Sequence, residues 1–283
     1  MLNRPIPSTG EAMPVIGVGT WQTFDIGTDA AALAQRAEVL RILFAAGGKM
    51  IDSSPMYASS EANVGRALAL LARSDAGVRD KAFLATKVWT SGERAGIAQM
   101  ETSARLMGAA GEKKMLDLMQ IHNLVDWRTH VKTLRAWKEL GRFRYIGITH
   151  YTSSALDDLA AVLNAEKFDF VQFAYSIDVR DAERRFLPFC ADKGVATIIN
   201  RPFGSGGLFS RARGRALPEF AKDIGVTSWA QYFLKYILGH PAVTVAIPGT
   251  GKPAHARDNV AAGEGPMPDA ALRRRMAEAW EQG

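Results

Sequence analysis

Leu116-Asp117-Leu118-Met119-Gln120-Ile121, a stretch over residues 128–140 with Val131, Leu134 and Trp137 at helical spacing, then Gly141 and Tyr145-Ile146-Gly147-Ile148: this segment decides the fold. The first and last runs are short and almost continuously apolar, the signature of strands buried on both faces. The middle stretch has the period of an amphipathic helix, and Gly141 supplies its C-terminal stop. Strand, helix and strand in succession read as one unit of a parallel sheet covered by helices.

Working outward, the same alternation covers the chain. Further apolar runs occupy Val15-Ile16-Gly17-Val18-Gly19, Met50-Ile51-Asp52, Ala82-Phe83-Leu84-Ala85-Thr86, Phe170-Val171-Gln172-Phe173, Val195-Ala196-Thr197-Ile198-Ile199 and Val243-Thr244-Val245-Ala246-Ile247. That makes eight runs, separated by helix-like stretches such as residues 30–46, which stop at Gly47-Gly48. Eight units in 283 residues fit an α/β fold of the (β/α)8 TIM barrel type better than an open doubly wound sheet, which periodicity alone leaves open. The open alternative is weakened because Gly17-Val18-Gly19-Thr20-Trp21-Gln22 has glutamine where a GxGxxG fingerprint needs glycine. Ahead of the first run, Ser8-Thr9-Gly10 reads as the turn of an N-terminal β-hairpin. No linker or low-complexity stretch divides the chain, so residues 1–283 are expected to form a single barrel domain.

Composition narrows the function classes. No run of about 18 uncharged apolar residues appears, and the start lacks the apolar core of a signal peptide, so a soluble cytoplasmic protein without a membrane segment is expected. The single cysteine, Cys190 in an apolar stretch, excludes an internal disulfide framework and reads as a small buried residue. The net charge of +6 arises from 35 basic and 29 acidic residues spread along the chain. The densest basic cluster, Arg211-Ala212-Arg213-Gly214-Arg215, reads as a solvated loop or as a contact to an anionic cofactor. Without aromatic interleaving or zinc-finger spacing, nucleic-acid binding has little support.

In a (β/α)8 barrel, chemistry sits at the carboxyl ends of the strands. Asp52 closes the second run, Tyr57 follows five residues later, Lys87 follows Leu84-Ala85-Thr86, and His122 follows Met119-Gln120-Ile121. Each has an ordinary reading: a turn carboxylate, a loop aromatic, a surface lysine and a packed histidine. Their shared position at one mouth favours a joint role. Reduction of a carbonyl needs a proton for the developing alkoxide, and a tyrosine hydroxyl can give it. A lysine beside Tyr57 would favour the phenolate, Asp52 would hold that lysine, and His122 could hydrogen-bond the carbonyl oxygen in its neutral form.

With these residues in place, the chain resembles the aldo-keto reductase family, of bacterial type, over nearly its whole length. The ordered motifs are Gly17-Val18-Gly19-Thr20-Trp21, Asp52-Ser53-Ser54-Pro55-Met56-Tyr57, Ser60-Glu61-Ala62-Asn63-Val64-Gly65, Thr86-Lys87, Ile121-His122-Asn123, Gly141-Arg142-Phe143-Arg144-Tyr145-Ile146-Gly147-Ile148, Val171-Gln172, and Ile247-Pro248-Gly249-Thr250 before Asp258-Asn259. The resemblance implies reduction of aldehydes or ketones, an Asp52-Tyr57-Lys87-His122 tetrad, no metal, a monomer, and NADPH as cofactor with NADH as the alternative. It implies cofactor contacts at Thr20, Trp21, Thr149, His150, Gln172, Arg201, Phe203, Gly204, Leu208, Gly249, Thr250, Lys252, His255, Arg257, Asp258 and Asn259. Thr149-His150 replaces the usual Ser-Asn pair, Asn200 stands where many members place a stacking tyrosine, and Gly249 and His255 align with the cations that grip the 2′-phosphate, leaving Lys252 and Arg257 as substitutes. A small carbonyl substrate is expected against Trp21, Trp89, Trp127 and Phe203, aromatic walls that suit an apolar or aromatic compound. The reading from another class is a sensor or scaffold subunit that binds NADPH with little turnover. The terminal stretch 270–280 reads as an amphipathic helix covering the barrel or closing over substrate.

Overall fold

Strand residues alternate between the two faces of a sheet, and in a closed barrel one face is the lumen. The computed structural model describes residues 1–108 and 116–282. Its strands are β1 (Asn3–Pro5), β2 (Ala12–Pro14), β3 (Val18–Gly19), β4 (Met50–Asp52), β5 (Phe83–Val88), β6 (Leu116–His122), β7 (Phe143–Thr149), β8 (Phe170–Ala174), β9 (Ala196–Asn200) and β10 (Val245–Ala246). From β3 to β10 each strand pairs in parallel with the next. Parallel bridges between Ile16 and Ala246 and between Gly19 and Gly249 bring the last strand back to the first, closing an eight-stranded (β/α)8 barrel.

All eight apolar runs carry a barrel strand, but the lengths differ. The β3 ladder holds only Val18–Gly19, whereas β5 continues through Lys87 and Val88 and β6 through His122. Polar lumen residues at the strand tips still keep their backbone in the ladder, as the pairing of Lys87 with Gln120 shows. Apolarity therefore underestimates strand length at the chemical end.

Period-two alternation sorts the side chains. Met50, Phe83, Ala85, Leu118, Tyr145, Phe170, Ala196, Ile198, Val245 and Ile247 form the inner core. Their outward neighbours, among them Ile51, Leu84, Met119, Ile148, Val171 and Ile199, belong to the core shared with the helices. The same parity carries Asp52, Lys87, Gln120, His122, Thr149, Gln172 and Asn200 into the lumen at the carboxyl end.

At the opposite end β1 and β2 form the hairpin, antiparallel, with Ile6 and Met13 completing the inner core. The Tyr145 hydroxyl meets Thr9 Oγ1 at 2.9 Å and donates to Glu11, which also pairs with Arg144. The hairpin thus closes the amino end of the barrel.

Helix ends follow local rules. The Asp29 side chain accepts from the backbone N–H groups of Ala31 and Ala32 and starts Ala30–Ala45, while Gly47, at φ +84°, ends it. The terminal helix, Ala270–Gln282, buries Trp280 against Trp229 and Phe233. Here two arginines of the basic cluster find partners, while Arg213 and Gly214 stay exposed as a solvated loop would. Arg215 donates to the Ala279 and Trp280 carbonyls and lies 4.3 Å over the Trp280 ring, while Arg211 pairs with Asp178 at 2.5 Å. Cys190 is buried, and burial pushes its thiol up to about 12. Among the described residues, no helix is long and apolar enough to cross a membrane. All the described non-glycine residues with a left-handed φ, among them Gln22, Ala58, Asn123 and Arg201, lie in loops leaving the carboxyl ends of the strands.

Candidate active site

The lumen residues at the strand ends converge under a cavity of about 680 Å³. Lys87 is fully buried, and its Nζ donates to Asp52 Oδ2 and to the Ser53 carbonyl, both at 2.6 Å. The other Asp52 oxygen, Oδ1, accepts from Gln120 Nε2 and Gln172 Nε2, both at 2.9 Å. A buried carboxylate surrounded by one cation and two amides is fully hydrogen-bonded, so its position is set by four strands, β4, β5, β6 and β8. Asp52 and Tyr57 hold Lys87 above its ordinary value although burial works the other way.

Tyr57 follows a turn in which its N–H donates to the Ser54 carbonyl at 3.0 Å. Its ring is partly exposed, its hydroxyl is the buried end, and the Lys87 ammonium lies 5.1 Å from the ring centroid. Burial raises the phenol above its usual value; Lys87 and Arg201 pull it down and Asp52 pushes it up. The lysine acts in the direction the sequence reading assigns to it, but burial outweighs it, so the phenol rather than the phenolate is favoured.

His122 meets Tyr57 edge-on at 5.8 Å, and its Nδ1 lies 2.9 Å from Ser54 Oγ. Burial, reinforced by Lys87 and His150, lowers its pKa to about 3. The ring is therefore neutral, and with the Ser54 hydroxyl donating to Nδ1 the tautomer assigned here carries its hydrogen on Nε2.

Of the residues assigned to a cofactor by resemblance, Thr20, Trp21, Thr149, Gln172, Arg201, Phe203 and Gly249 line the cavity. Thr20 also donates to Ser53 Oγ at 2.9 Å. His150 stacks on Tyr151 outside that lining. Gly204 is exposed and Leu208 is buried in the outer core. Farther along, Lys252 and His255 are exposed, Arg257 lies 3.5 Å from Glu38, and Asn259 is buried. Thr250 Oγ1 accepts from the Lys252 N–H, and Asp258 accepts from Ser228 and Gln231. Among the aromatic substrate candidates, Trp21, Trp89 and Phe203 line the cavity, while Trp127 lies outside it with Arg128 over its ring.

Three residues that the sequence names only within a run, a motif or an alignment receive their roles from the structure. Gln120 is the polar break in an apolar run, two residues before His122 and hence on the same face; that parity was its available signal. Glu61 is buried behind β5, where it accepts from Thr86 and, at 3.0 Å, from Ser103; burial raises its pKa. Its signal was a carboxylate on the sheet-facing side of a helix. Asn200 donates to the His150 carbonyl at 3.2 Å and to Gln172 Oε1 at 3.3 Å, while its own Oδ1 has no partner.

Fold and site together define a barrel with an acid-lysine pair beneath a tyrosine and a neutral histidine. Residues 15–277 match the model of the Aldo/keto reductase family, and the chain belongs to that family, which places it among the oxidoreductases. It is 26% identical over 271 residues to methylglyoxal reductase YeaE of Escherichia coli, covering 92% of this chain and 89% of that one. To aldehyde reductase YPR1 of Saccharomyces cerevisiae it is 23% identical over 272 residues, with coverage of 84% and 80%. A solved aldo-keto reductase from Klebsiella pneumoniae in complex with NADPH superposes with a TM-score of 0.80 at 23% identity, covering 99% of this chain and 96% of that one.

Proposed function

We propose that this chain reduces aldehydes or ketones to alcohols with NADPH as cofactor. The observation that carries this reading is the Lys87–Asp52 pair, buried beneath a protonated Tyr57 and beside a neutral His122 on one cavity wall.

The cavity suits a nicotinamide: its volume falls in the range of ligand pockets, and the unpartnered Asn200 Oδ1 is an acceptor for an amide N–H of the carboxamide, in the neighbourhood of Thr149 and Gln172. Exposed Lys252, His255 and Arg257 on the Gly249–Asn259 segment are the groups that would meet an adenosine 2′-phosphate. When bound, the reduced nicotinamide supplies hydride to the carbonyl carbon.

This chain's own residues do the rest. His122, donating through Nε2, orients the carbonyl oxygen and stabilises the negative charge that grows on it. Tyr57 gives its hydroxyl proton to that oxygen, and the Lys87 ammonium steadies the phenolate left behind. Asp52, fixed by Gln120 and Gln172, keeps Lys87 in place.

The test is Tyr57→Phe against wild type with NADPH and an aromatic aldehyde, following tryptophan fluorescence for binding and nicotinamide absorbance for turnover. Turnover should fall by about 10²–10⁴-fold while NADPH binding persists. Tight NADPH binding without turnover in the wild type would replace this reading with that of a sensor subunit.

A further inference from the structure

Of the ionisable side chains lining the cavity, Asp52 is neutralised by Lys87 and His122 is uncharged. Tyr57 keeps its proton. Arg201, on the loop leaving β9, is the remaining charge of the described lining, and no described residue neutralises it. Its guanidinium carbon lies 4.5 Å from the Tyr151 ring centroid and 5.7 Å from that of Trp21. Among the described residues, its side-chain N–H groups meet no carboxylate and no carbonyl.

That arrangement is specific in two ways. Aromatic rings engage the faces of a guanidinium and leave its in-plane N–H edges free, the geometry that receives a carboxylate through two parallel hydrogen bonds. The backbone is also held for the purpose. Arg201 has φ +50°, a conformation unfavourable for a side chain with a Cβ, and its carbonyl accepts from the Gly204 N–H at 2.9 Å in the turn that follows. A partly buried cation with unused donors, fixed at the wall of a reaction cavity by two aromatics and a strained residue, is suited to binding an anion.

We propose that Arg201 is a specificity-determining residue that selects carbonyl substrates carrying an anionic oxygen group, a carboxylate above all, and holds that group between Trp21 and Tyr151. This rests on the carbonyl-reductase reading and deepens it by naming the substrate class. The same chemistry could come from the cofactor's pyrophosphate, so the two sources are tested separately. The substrate is favoured because Arg201 and Trp21 line the same cavity as Tyr57 and His122, the groups that act on the carbonyl.

The experiment compares wild type, Arg201→Met and Arg201→Lys, each shown to be folded by circular dichroism. The substrates are 4-carboxybenzaldehyde and benzaldehyde, equal in aromatic bulk and different in charge. The wild type should favour the carboxylated aldehyde in kcat/KM by about 10- to 100-fold, the worth of charge-assisted hydrogen bonds in a partly desolvated site. That ratio should collapse toward one in Arg201→Met and recover partly in Arg201→Lys, which keeps the charge and loses the fork. NADPH titrations in the three proteins supply the other arm. A weaker NADPH affinity in Arg201→Met with the substrate ratio intact would assign the guanidinium to the pyrophosphate and overturn the proposal. A wild-type ratio near one would overturn it as well. If neither aldehyde is reduced, the reductase reading falls, and binding of 4-(hydroxymethyl)benzoate against benzyl alcohol, read by tryptophan quenching, still decides Arg201. Carboxylate binding that disappears in Arg201→Met sustains the anion site, and equal binding removes it.

Discussion

Replacing Lys87 with methionine, alone and combined with Asp52→Asn, measures how tightly the centre of the site is bound together. Lys87 and Asp52 are 0% and 2% exposed, and their charged atoms are 2.6 Å apart. Coulomb's law at an effective dielectric of about 20 puts their attraction near 6 kcal/mol, most of it offset by the desolvation of both ions. Removing one partner leaves the other charge buried. Lys87→Met should therefore cost about 3–5 kcal/mol despite its similar volume. Gln120 and Gln172 still donate to Asp52, which favours the lower end. The double variant buries no unpaired charge and should cost less than the two single variants together, giving a coupling of about 3 kcal/mol in a double-mutant cycle. Urea unfolding at neutral pH reads all four proteins.

The pH dependence adds a signature. Lys87 is held above its ordinary 10.5 in the folded chain, so its stabilisation is complete below pH 10.5 and is lost as pH rises through the folded value. Lys87→Met should show a shallower alkaline limb, the remainder coming from Cys190 and Tyr145, whose burial also holds their protons to about 12. A coupling below about 1 kcal/mol, or an alkaline limb as steep in Lys87→Met as in the wild type, would refute the idea that the pair acts as a unit.

Two further outcomes follow from the same structure. His122 is held near 3 in the fold against 6.5 when exposed, so the unfolded chain binds more protons between those values, and stability should fall by up to ~1.4 kcal/mol per pH unit as acid is added below 6.5; His122→Asn should flatten that slope in urea melts. Arg215→Ala removes two hydrogen bonds and a ring contact to the last helix and should cost about 1–3 kcal/mol, with faster proteolytic release of the tail; an unchanged digestion pattern would mean that Trp280 alone seats that helix.

What the sequence disclosed depends on the range of the interaction concerned. Eight strands were legible because burial on both faces makes each one locally apolar. Asp52, Lys87 and His122 were legible because they interrupt or end those runs. Arg215 was not, because its partners lie 64 and 65 residues away and nothing near it signals a carbonyl acceptor. Glu61 was seen as part of a motif, yet its burial depends on Thr86 and Ser103 arriving from two other elements. The phenol of Tyr57 shows the limit most clearly: the sequence identifies a cation to lower its pKa, whereas the depth of burial that outweighs that cation exists only after folding.

The left-handed residues at the carboxyl ends of the strands divide the barrel into two ends of unequal durability. Gln22, Ala58, Asn123, Leu124, Asp126, Arg201 and Ser205 all belong to the loops around the cavity, and each conformation costs about 1 kcal/mol that melting of its loop would release. The hairpin end carries no such residue among those described. Warming should accordingly loosen the mouth while the strands and helices still hold, so catalysis would fade at temperatures where the circular dichroism of the barrel has yet to change. Glycine at Ala58 would toughen the mouth by relieving one of these conformations, and the same change would give that loop more freedom to leave its working shape.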